Sequence, residues 1–227
     1  MKTLVVVAHP QIENSATEAF LKTAASFDEN VTWHQLATPF DIKREQSLLS
    51  AADRIIFQFP MYWYSAPAIL KEWLDKVWDN YLVNNHLVTG RELGIVVTVG
   101  HAASSFQPGA SQQYTIAELL RPYEALAHNL GLQYLPAFPI YQFDQQSDEQ
   151  RQLLFICYQQ YLAIPKLCHF KDEVKWFADR LEKKIANEND PVQRAKIEQL
   201  LLLLNDQQDE LDDLYMSVKW LREKEDY

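Results

Sequence analysis

The sequence has little of several features that mark large classes of proteins. Its 227 residues include five glycines and two cysteines, and its formal net charge at pH 7 is −10. Two cysteines cannot build the disulfide framework of a small secreted domain, and an acidic chain is poorly suited to nucleic acid or an anionic membrane surface. No apolar run approaches the roughly 20 residues of a membrane span. We therefore expect no nucleic-acid partner and no membrane insertion.

The first residues favour a protein that stays in the cytoplasm. Met1-Lys2-Thr3 leads straight into a short apolar strand pattern, without the longer apolar segment and small-residue cleavage site of a secretory leader. With 48% hydrophobic residues, the chain can bury one sizeable core. We expect a cytoplasmic protein built around that core.

The first strand pattern ends in a polar loop that suits an anion. The run Leu4-Val5-Val6-Val7-Ala8 is typical of a buried parallel strand, and it leads through His9-Pro10 and Asn14-Ser15-Ala16-Thr17 into a helical pattern. Free N–H groups and the helix dipole favour a phosphate at such a helix start. The sequence lacks G-x-G-x-x-G and G-x-x-x-x-G-K-[ST], which disfavours a dinucleotide fingerprint and a P-loop. An ordinary loop is the alternative for these residues.

A second candidate segment follows the strand pattern at 54–59. It reads Pro60-Met61-Tyr62-Trp63-Tyr64-Ser65-Ala66-Pro67 and precedes an amphipathic helix. Open α/β sheets bind ligands beyond the carboxyl ends of their parallel strands, where three aromatic side chains can stack on a flat ring. The alternative is an aromatic cluster that packs against the top of the sheet.

Strand and helix patterns alternate through the first two thirds of the chain. Strands are predicted at 2–8, 31–36, 54–59, 92–99 and 132–140, and helices at 15–26, 43–50, 66–82 and 114–129. This order predicts an α/β fold with a five-stranded parallel sheet and helices on both faces. The helix at 66–82 carries surplus aromatic surface, which indicates either a homodimer interface or an intrachain core.

From about residue 144 the patterns become helical to the end. A helix at 147–163 completes a first domain, 1–164, and an extension follows at 165–227. Two apolar stripes on either side of Asp190-Pro191 predict an antiparallel helical hairpin in this extension. The hairpin has three open alternatives: it zips against itself, docks on the sheet domain or pairs with a second subunit.

The chain resembles the flavodoxin-like NAD(P)H:quinone oxidoreductases, including the flavoprotein partners of glutathione-gated potassium efflux systems. The likeness covers roughly the first 160 residues. It is carried by Ala8-His9-Pro10 with Ser15, by Phe59-Pro60-Met61-Tyr62-Trp63-Tyr64-Ser65 with Pro67, Leu70-Lys71 and Trp73-Leu74-Asp75-Lys76-Val77, and by Thr98-Val99-Gly100.

The resemblance implies an enzyme with FMN as cofactor and FAD as the alternative. Hydride would pass from NAD(P)H through the flavin to a quinone-like acceptor in a homodimer with ping-pong kinetics. Phe106 would lie in the substrate pocket, and no catalytic side chain is assigned. The implied cofactor-binding residues are His9, Ser15, Ala16, Thr17 and Glu18 at the phosphate, Met61, Tyr62, Trp63 and Tyr64 at the ring, and Thr98, Val99, Gly100 and His101 at the ring edge.

Several residues depart from the pattern of this family. Glu18 replaces a neutral polar residue beside the phosphate, where a carboxylate opposes binding unless it points away or is paired. His101 stands where a second glycine is usual, Phe106 replaces a tyrosine of some relatives, and the stretch at 84–90 is short and nearly free of glycine. These departures favour a second hypothesis, a regulatory or interaction protein with weak or vestigial flavin chemistry.

Other chemistries find no support in the sequence. His34, His86, His128 and His169 lack metal-ligand spacing, and the cysteines, Cys157 and Cys168, form no C-x-x-C, so we expect no metal site. There is no G-x-S-x-G nucleophile motif.

Overall fold

The computed structural model describes residues 1–78, 83–165 and 170–225. The chain divides into two compact units, residues 1–163 and 164–227. None of the described helices is both long and apolar enough to cross a membrane.

The first unit is built on a parallel sheet in the order β2-β1-β3-β4-β5, with β6 also paired to β4. All its strand pairs are parallel, which confirms the predicted flavodoxin-like fold. The strands are β1 (Thr3–Val7), β2 (Val31–Gln35), β3 (Arg54–Pro60), β4 (Glu92–Val99), β5 (Gln133–Tyr134) and β6 (Phe138–Tyr141).

The single strand predicted at 132–140 is two short strands. β5 pairs with Glu92 and Leu93 at the start of β4, and β6 pairs with Val96 to Val99 at its end. Between them lies Pro136, which has no N–H to donate to the ladder. The interruption leaves β6 beside the carboxyl half of β4.

Helices cover both faces of the sheet. The first unit contains α1 (Ala16–Ala25), α2 (Ile42–Ala51), α3 (Ala68–Val77), α4 (Ile116–Leu119), α5 (Arg121–Asn129) and α6 (Asp148–Ala163). The helix predicted at 114–129 is thus two helices, because Pro122 cannot donate a hydrogen bond to the turn before it. The helix predicted from 66 begins later, after Pro67, and its predicted end at 79–82 lies outside the described residues.

The core lies between the sheet and these helices. Every residue of β1 and β3 is buried, as expected for strands covered on both faces. Trp73 and Trp78 pack edge-on against Phe57 with ring centroids 5.9 and 5.7 Å away. The aromatic surface predicted on the helix at 66–82 therefore belongs to the intrachain core at these two tryptophans.

Helix α6 approaches the opposite face closely at one glycine. A Cβ built on Gly94 of β4 would collide with the hydroxyl of Tyr161 and with Ile56. The same hydroxyl donates a hydrogen bond of 2.9 Å to the Pro136 carbonyl. Gly94 is required here because no side chain fits between β4 and α6.

The second unit contains the predicted helical hairpin, α7 (Phe170–Asn187) and α8 (Pro191–Glu225). The two helices pack against each other and run antiparallel, since Lys171 at the start of α7 forms an ion pair of 2.7 Å with Asp212 far along α8. Asp190 begins α8 by accepting a hydrogen bond from the Val192 N–H at 2.9 Å.

Candidate functional site

The carboxyl ends of four parallel strands surround a cavity of about 260 Å³. Open α/β sheets bind their ligands at this edge, next to the strand where the order reverses. The cavity is lined by His9, Ser15, Thr17, Pro60, Met61, Tyr62, Thr98, Val99, Gly100, Ile140, Gln142, Phe143, Asp144 and Gln145.

One end of the cavity is the start of α1. Ser15 is extended at the N-cap, and its hydroxyl accepts a hydrogen bond from the Glu18 N–H at 3.2 Å. The N–H groups of Ala16 and Thr17 have no acceptor within the helix, because a first turn has none. Together with the helix dipole, these groups make this end of the cavity favourable for an anionic group.

His9 contributes a neutral donor to the same end. Its Nδ1 accepts a hydrogen bond of 3.1 Å from the Gln11 N–H, so the neutral ring carries its proton on Nε2. Partial burial lowers the pKa of His9 below its usual 6.5. The ring is therefore uncharged at pH 7 and can donate one hydrogen bond.

The aromatic segment forms a strained tight turn beyond β3. Tyr62 and Ser65 exchange two backbone hydrogen bonds of 2.9 and 3.1 Å, while Trp63 and Tyr64 have φ values of 50° and 64°. Two consecutive left-handed residues define a type I′ turn, which normally uses Asn and Gly. Trp63 is 94% exposed, so the turn does not pack its aromatic rings into the top of the sheet.

A second, smaller cavity of about 170 Å³ continues from the first. The two cavities share Met61, Val99 and Gly100, and we refer to them together as the cleft. The other residues of the second cavity are Trp63, Tyr64, His101, Phe106 and Gln112. A Cβ added to Gly100 would meet no atom within 4 Å, so the backbone there borders open space.

All but two of the residues predicted from the sequence line this cleft. Ala16 is exposed beside it, and Glu18 points into the core instead. Phe106 is buried, with its ring centroid 6.4 Å from His101 and 6.0 Å from Tyr141. Phe106 therefore forms part of the wall of the cleft, next to the loop that contains His101.

Glu18 lies behind the helix start, in a chain of buried polar groups. Its Oε2 accepts a hydrogen bond from Gln58 Nε2 at 2.6 Å, and Gln58 Oε1 accepts one from the Tyr158 hydroxyl at 2.7 Å. None of the described residues forms a hydrogen bond with its Oε1. Burial raises the pKa of Glu18 to about 7, and the Gln58 hydrogen bond opposes this shift.

The segment after β6 supplies residues that sequence reasoning missed. Gln142, Phe143, Asp144 and Gln145 border the first cavity, and Gln142 has a left-handed φ of 45°. The order of the strands could have predicted these residues, because the last strand of a parallel sheet ends at the same edge as the others and the segment after it lies at that edge.

The described residues contain no group of three or more His, Cys, Asp or Glu side chains placed to hold a metal ion. Cys168 and His169 lie outside the described residues.

The fold defines a flavodoxin-like α/β protein with a cleft at one edge of its parallel sheet. The sequence agrees with this class: residues 1–162 match the family model described as "Flavodoxin-like fold". The chain belongs to this family, as the sequence resemblance predicted, and its last 65 residues lie beyond the match.

Two curated relatives illustrate the range of the family. The chain is 40% identical over 159 residues to the "Uncharacterized NAD(P)H oxidoreductase YdeQ" of Bacillus subtilis, covering 66% of this chain and 80% of that one. It is 33% identical over 172 residues to the glutathione-regulated potassium-efflux system ancillary protein KefG of Cronobacter sakazakii, covering 72% and 94%.

Two solved structures resemble the first unit. An NADPH-quinone reductase from P. pentosaceus has a TM-score of 0.70 and 45% identity, with 72% of this chain and 98% of that chain covered. The general stress protein 14 of Treponema denticola, solved in complex with FMN, has a TM-score of 0.64 and 27% identity, with 72% and 100% covered.

Proposed function

We propose that the chain is an FMN-dependent NAD(P)H:quinone oxidoreductase. The observation that carries this proposal is the cleft, in which the start of α1, the aromatic turn and the loop from Thr98 to His101 meet at one sheet edge although they are distant in the sequence. Relatives named NAD(P)H oxidoreductase and NADPH-quinone reductase support the reaction class. The FMN complex of a 27% identical structure supports the cofactor.

The residues of the cleft fit FMN better than a dinucleotide. Ser15, Thr17 and the α1 N–H groups suit one phosphate, and His9 adds a neutral donor. Neither cavity is lined by the start of a second described α-helix that could hold another phosphate. FMN is therefore our choice over FAD.

The remaining parts of the cleft suit a flat ring and its substrates. Met61 to Tyr64 would support one face and side of the ring, and the loop from Thr98 to His101 would face its polar edge. FMN, when bound, supplies the two-electron chemistry for hydride transfer from NAD(P)H and onward to a quinone. Because a bound flavin would hold the two electrons between the two half-reactions, the two substrates would use the cleft in turn, which predicts ping-pong kinetics.

We also propose a homodimer. Beside the aromatic turn lies a cavity of about 590 Å³ between α3, α4 and α5, lined largely by apolar side chains. Tyr64 borders both this cavity and the cleft. A second copy covering it would complete the site, whereas a monomer would leave apolar surface in water. Cytoplasmic localisation remains part of this proposal, supported by the paucity of cysteine.

The test is a cofactor extraction from the purified protein. We expect a yellow protein that releases FMN by mass measurement, rebinds it after removal and gives parallel double-reciprocal plots with NAD(P)H and a quinone panel. A colourless protein that does not take up FMN would overturn the proposal.

That outcome would favour the alternative, a regulatory or interaction protein. The observation in its favour is the helical second unit beyond the family match, in a chain with a relative named as an ancillary protein of an efflux system.

A further inference from the structure

Glu18 is a chemically unusual neighbour for a phosphate seat. It is the third residue of α1, in the same turn as the N–H groups that face the cleft, and it is 1% exposed. Its side chain turns to the opposite side, toward β3 and α6. The carboxyl group and a bound phosphate would therefore share one helical turn, with the carboxyl group buried in the protein interior.

The groups around the Glu18 carboxyl do not neutralise it. Gln58 from β3 is uncharged, and Tyr158 from α6 stays protonated because burial raises its pKa well above 10. On the cleft side, His9 is neutral and Asp144 adds a further negative charge. Among the described residues, Gln58 alone donates a hydrogen bond to the Glu18 carboxylate, so little stabilises its charge.

We propose that Glu18 couples phosphate binding to proton uptake, so that a phosphate monoester binds at the start of α1 together with a proton that neutralises this carboxyl group. The coupling rests on the proposed function, because FMN is the monoester that the cleft would take. It makes Glu18 a residue that sets how affinity for a doubly charged phosphate depends on pH, without touching the ligand.

The direction of the pH effect follows from the order of the two protonation states. In the free protein, burial already raises the pKa of Glu18 to about 7, and a nearby anion raises it further. At a pH between the Glu18 pKa of the free protein and the higher pKa of the complex, Glu18 is protonated in the complex and ionised in the free protein. Affinity for the phosphate therefore falls as pH rises above 7.

The experiment compares FMN with riboflavin, which lacks the phosphate. Flavin-free protein is titrated with each at pH 7, 8 and 9, and dissociation constants are read from flavin fluorescence. The second ionisation of a phosphate monoester lies near pH 6, so FMN keeps its charge across this range. Wild-type protein, E18Q and Y158F are compared, the last keeping the carboxyl group while losing the hydroxyl that binds Gln58.

We expect the wild-type dissociation constant for FMN to rise about fivefold from pH 7 to 9, as for a pKa of about 7 in the free protein that is about one unit higher in the complex. Y158F should keep a rise, whereas E18Q should be flat and bind FMN more tightly than wild type at pH 9. Riboflavin should show no such rise with any variant. Calorimetry of wild-type protein at pH 8 in buffers of different ionisation enthalpy should detect net proton uptake with FMN only.

Each other outcome counts against the coupling. Equal slopes for wild type and E18Q, equal slopes for FMN and riboflavin, or no proton uptake by wild-type protein would overturn it while leaving flavin binding intact. If no flavin binds at any pH, the proposed function falls and the coupling falls with it. Should E18Q fail to fold, E18N and the calorimetry of wild-type protein decide the matter.

Discussion

Glu18 also makes the stability of the fold depend on pH. Its pKa is raised from 4.5 to about 7 by burial, so the folded state binds a proton that the unfolded state has released over this interval. The contribution of Glu18 to stability is therefore fully present below pH 4.5 and is lost as pH rises to about 7. Above pH 7, the free energy of unfolding is lower by about 3 kcal/mol, at about 1.4 kcal/mol per pKa unit.

E18Q removes this charge while keeping an oxygen that can accept from Gln58. We expect E18Q and wild type to have similar free energies of unfolding near pH 4.5 and E18Q to be the more stable at pH 8. Urea unfolding at both pH values measures the difference. If the difference in the free energy of unfolding between E18Q and wild type were the same at both pH values, the carboxyl group would ionise as easily in the folded protein as in the unfolded chain.

Trp63 offers a second prediction at this scale. A left-handed residue other than glycine costs about 1 kcal/mol or more, and Trp63 is 94% exposed with φ at 50°. Trp63→Gly should therefore raise the melting temperature or leave it unchanged, while weakening FMN binding by about 1 kcal/mol through loss of a stacked ring. Trp63→Ala should weaken binding equally without the gain in stability.

Thermal unfolding and FMN titration check this pair of effects, with Tyr114→Ala as a control. Tyr114 is 56% exposed and lines neither cavity of the cleft. Unchanged FMN affinity together with a lower melting temperature would place Trp63 in the structural framework and remove it from the site.

Sequence reasoning predicted most of the cleft because its signals are local. Strand ends, the N-cap Ser15 and the aromatic segment can each be recognised within about ten residues. The side-chain direction of Glu18 could not be predicted, because its partners in the polar chain are distant: Gln58 is 40 residues from Glu18, and Tyr158 is 100 residues from Gln58. The family resemblance placed Glu18 among the cofactor-binding residues and left open whether its carboxylate points away.

At the scale of elements, one glycine within β4 and another directly after it have opposite roles. Gly94 faces α6, where an added Cβ would collide with Tyr161, while Gly100 follows the strand and borders open space. Gly94→Ala should lower the free energy of unfolding by about 1–3 kcal/mol, as overpacking does. Gly100→Ala should leave stability unchanged and weaken FMN binding, because its methyl group would occupy the cleft.

Chemical denaturation and FMN titration of both variants test this contrast. Tyr161→Phe in the Gly94→Ala background should recover part of the lost stability by removing the colliding hydroxyl. If both glycine variants lost stability equally, the close packing of α6 on β4 would not be the reason that Gly94 is required.

Elements were predicted better than their interruptions. The strand predicted at 132–140 contains Pro136 and Pro139, and the helix predicted at 114–129 contains Pro122. The structure breaks the strand at Pro136 and the helix just before Pro122, whereas Pro139 lies within β6. The periodicity of the apolar residues continues across these breaks, so it could not reveal them. Proline chemistry could have done so, because each proline removes one backbone donor.

At the scale of the whole molecule, the chain consists of a complete flavodoxin-like unit followed by a helical hairpin. The family match ends at residue 162, within one residue of the first unit's last residue, and the described relatives are covered over 80% or more of their own lengths. We therefore expect a chain ending after residue 165 to fold and to retain FMN.

Size-exclusion chromatography and the flavin content of the shortened protein test this expectation. Leu214, Tyr215 and Met216 of α8 are each more than 60% exposed in the full chain, so the shortened protein should also be less prone to associate through apolar contacts. Aggregation or loss of flavin on truncation would instead make the hairpin part of the subunit interface.

The exposed indole of Trp63 also gives the molecule a built-in optical reporter. Trp73, fully buried beneath the sheet, is shielded from a dissolved collisional quencher, whereas Trp63 lies open to it. A flavin ring stacked on Trp63 would shield the indole from iodide and quench its fluorescence by energy transfer. Occupancy of the cleft could then be followed by the tryptophan emission of the protein, with Trp63→Ala showing the emission of the other five tryptophans.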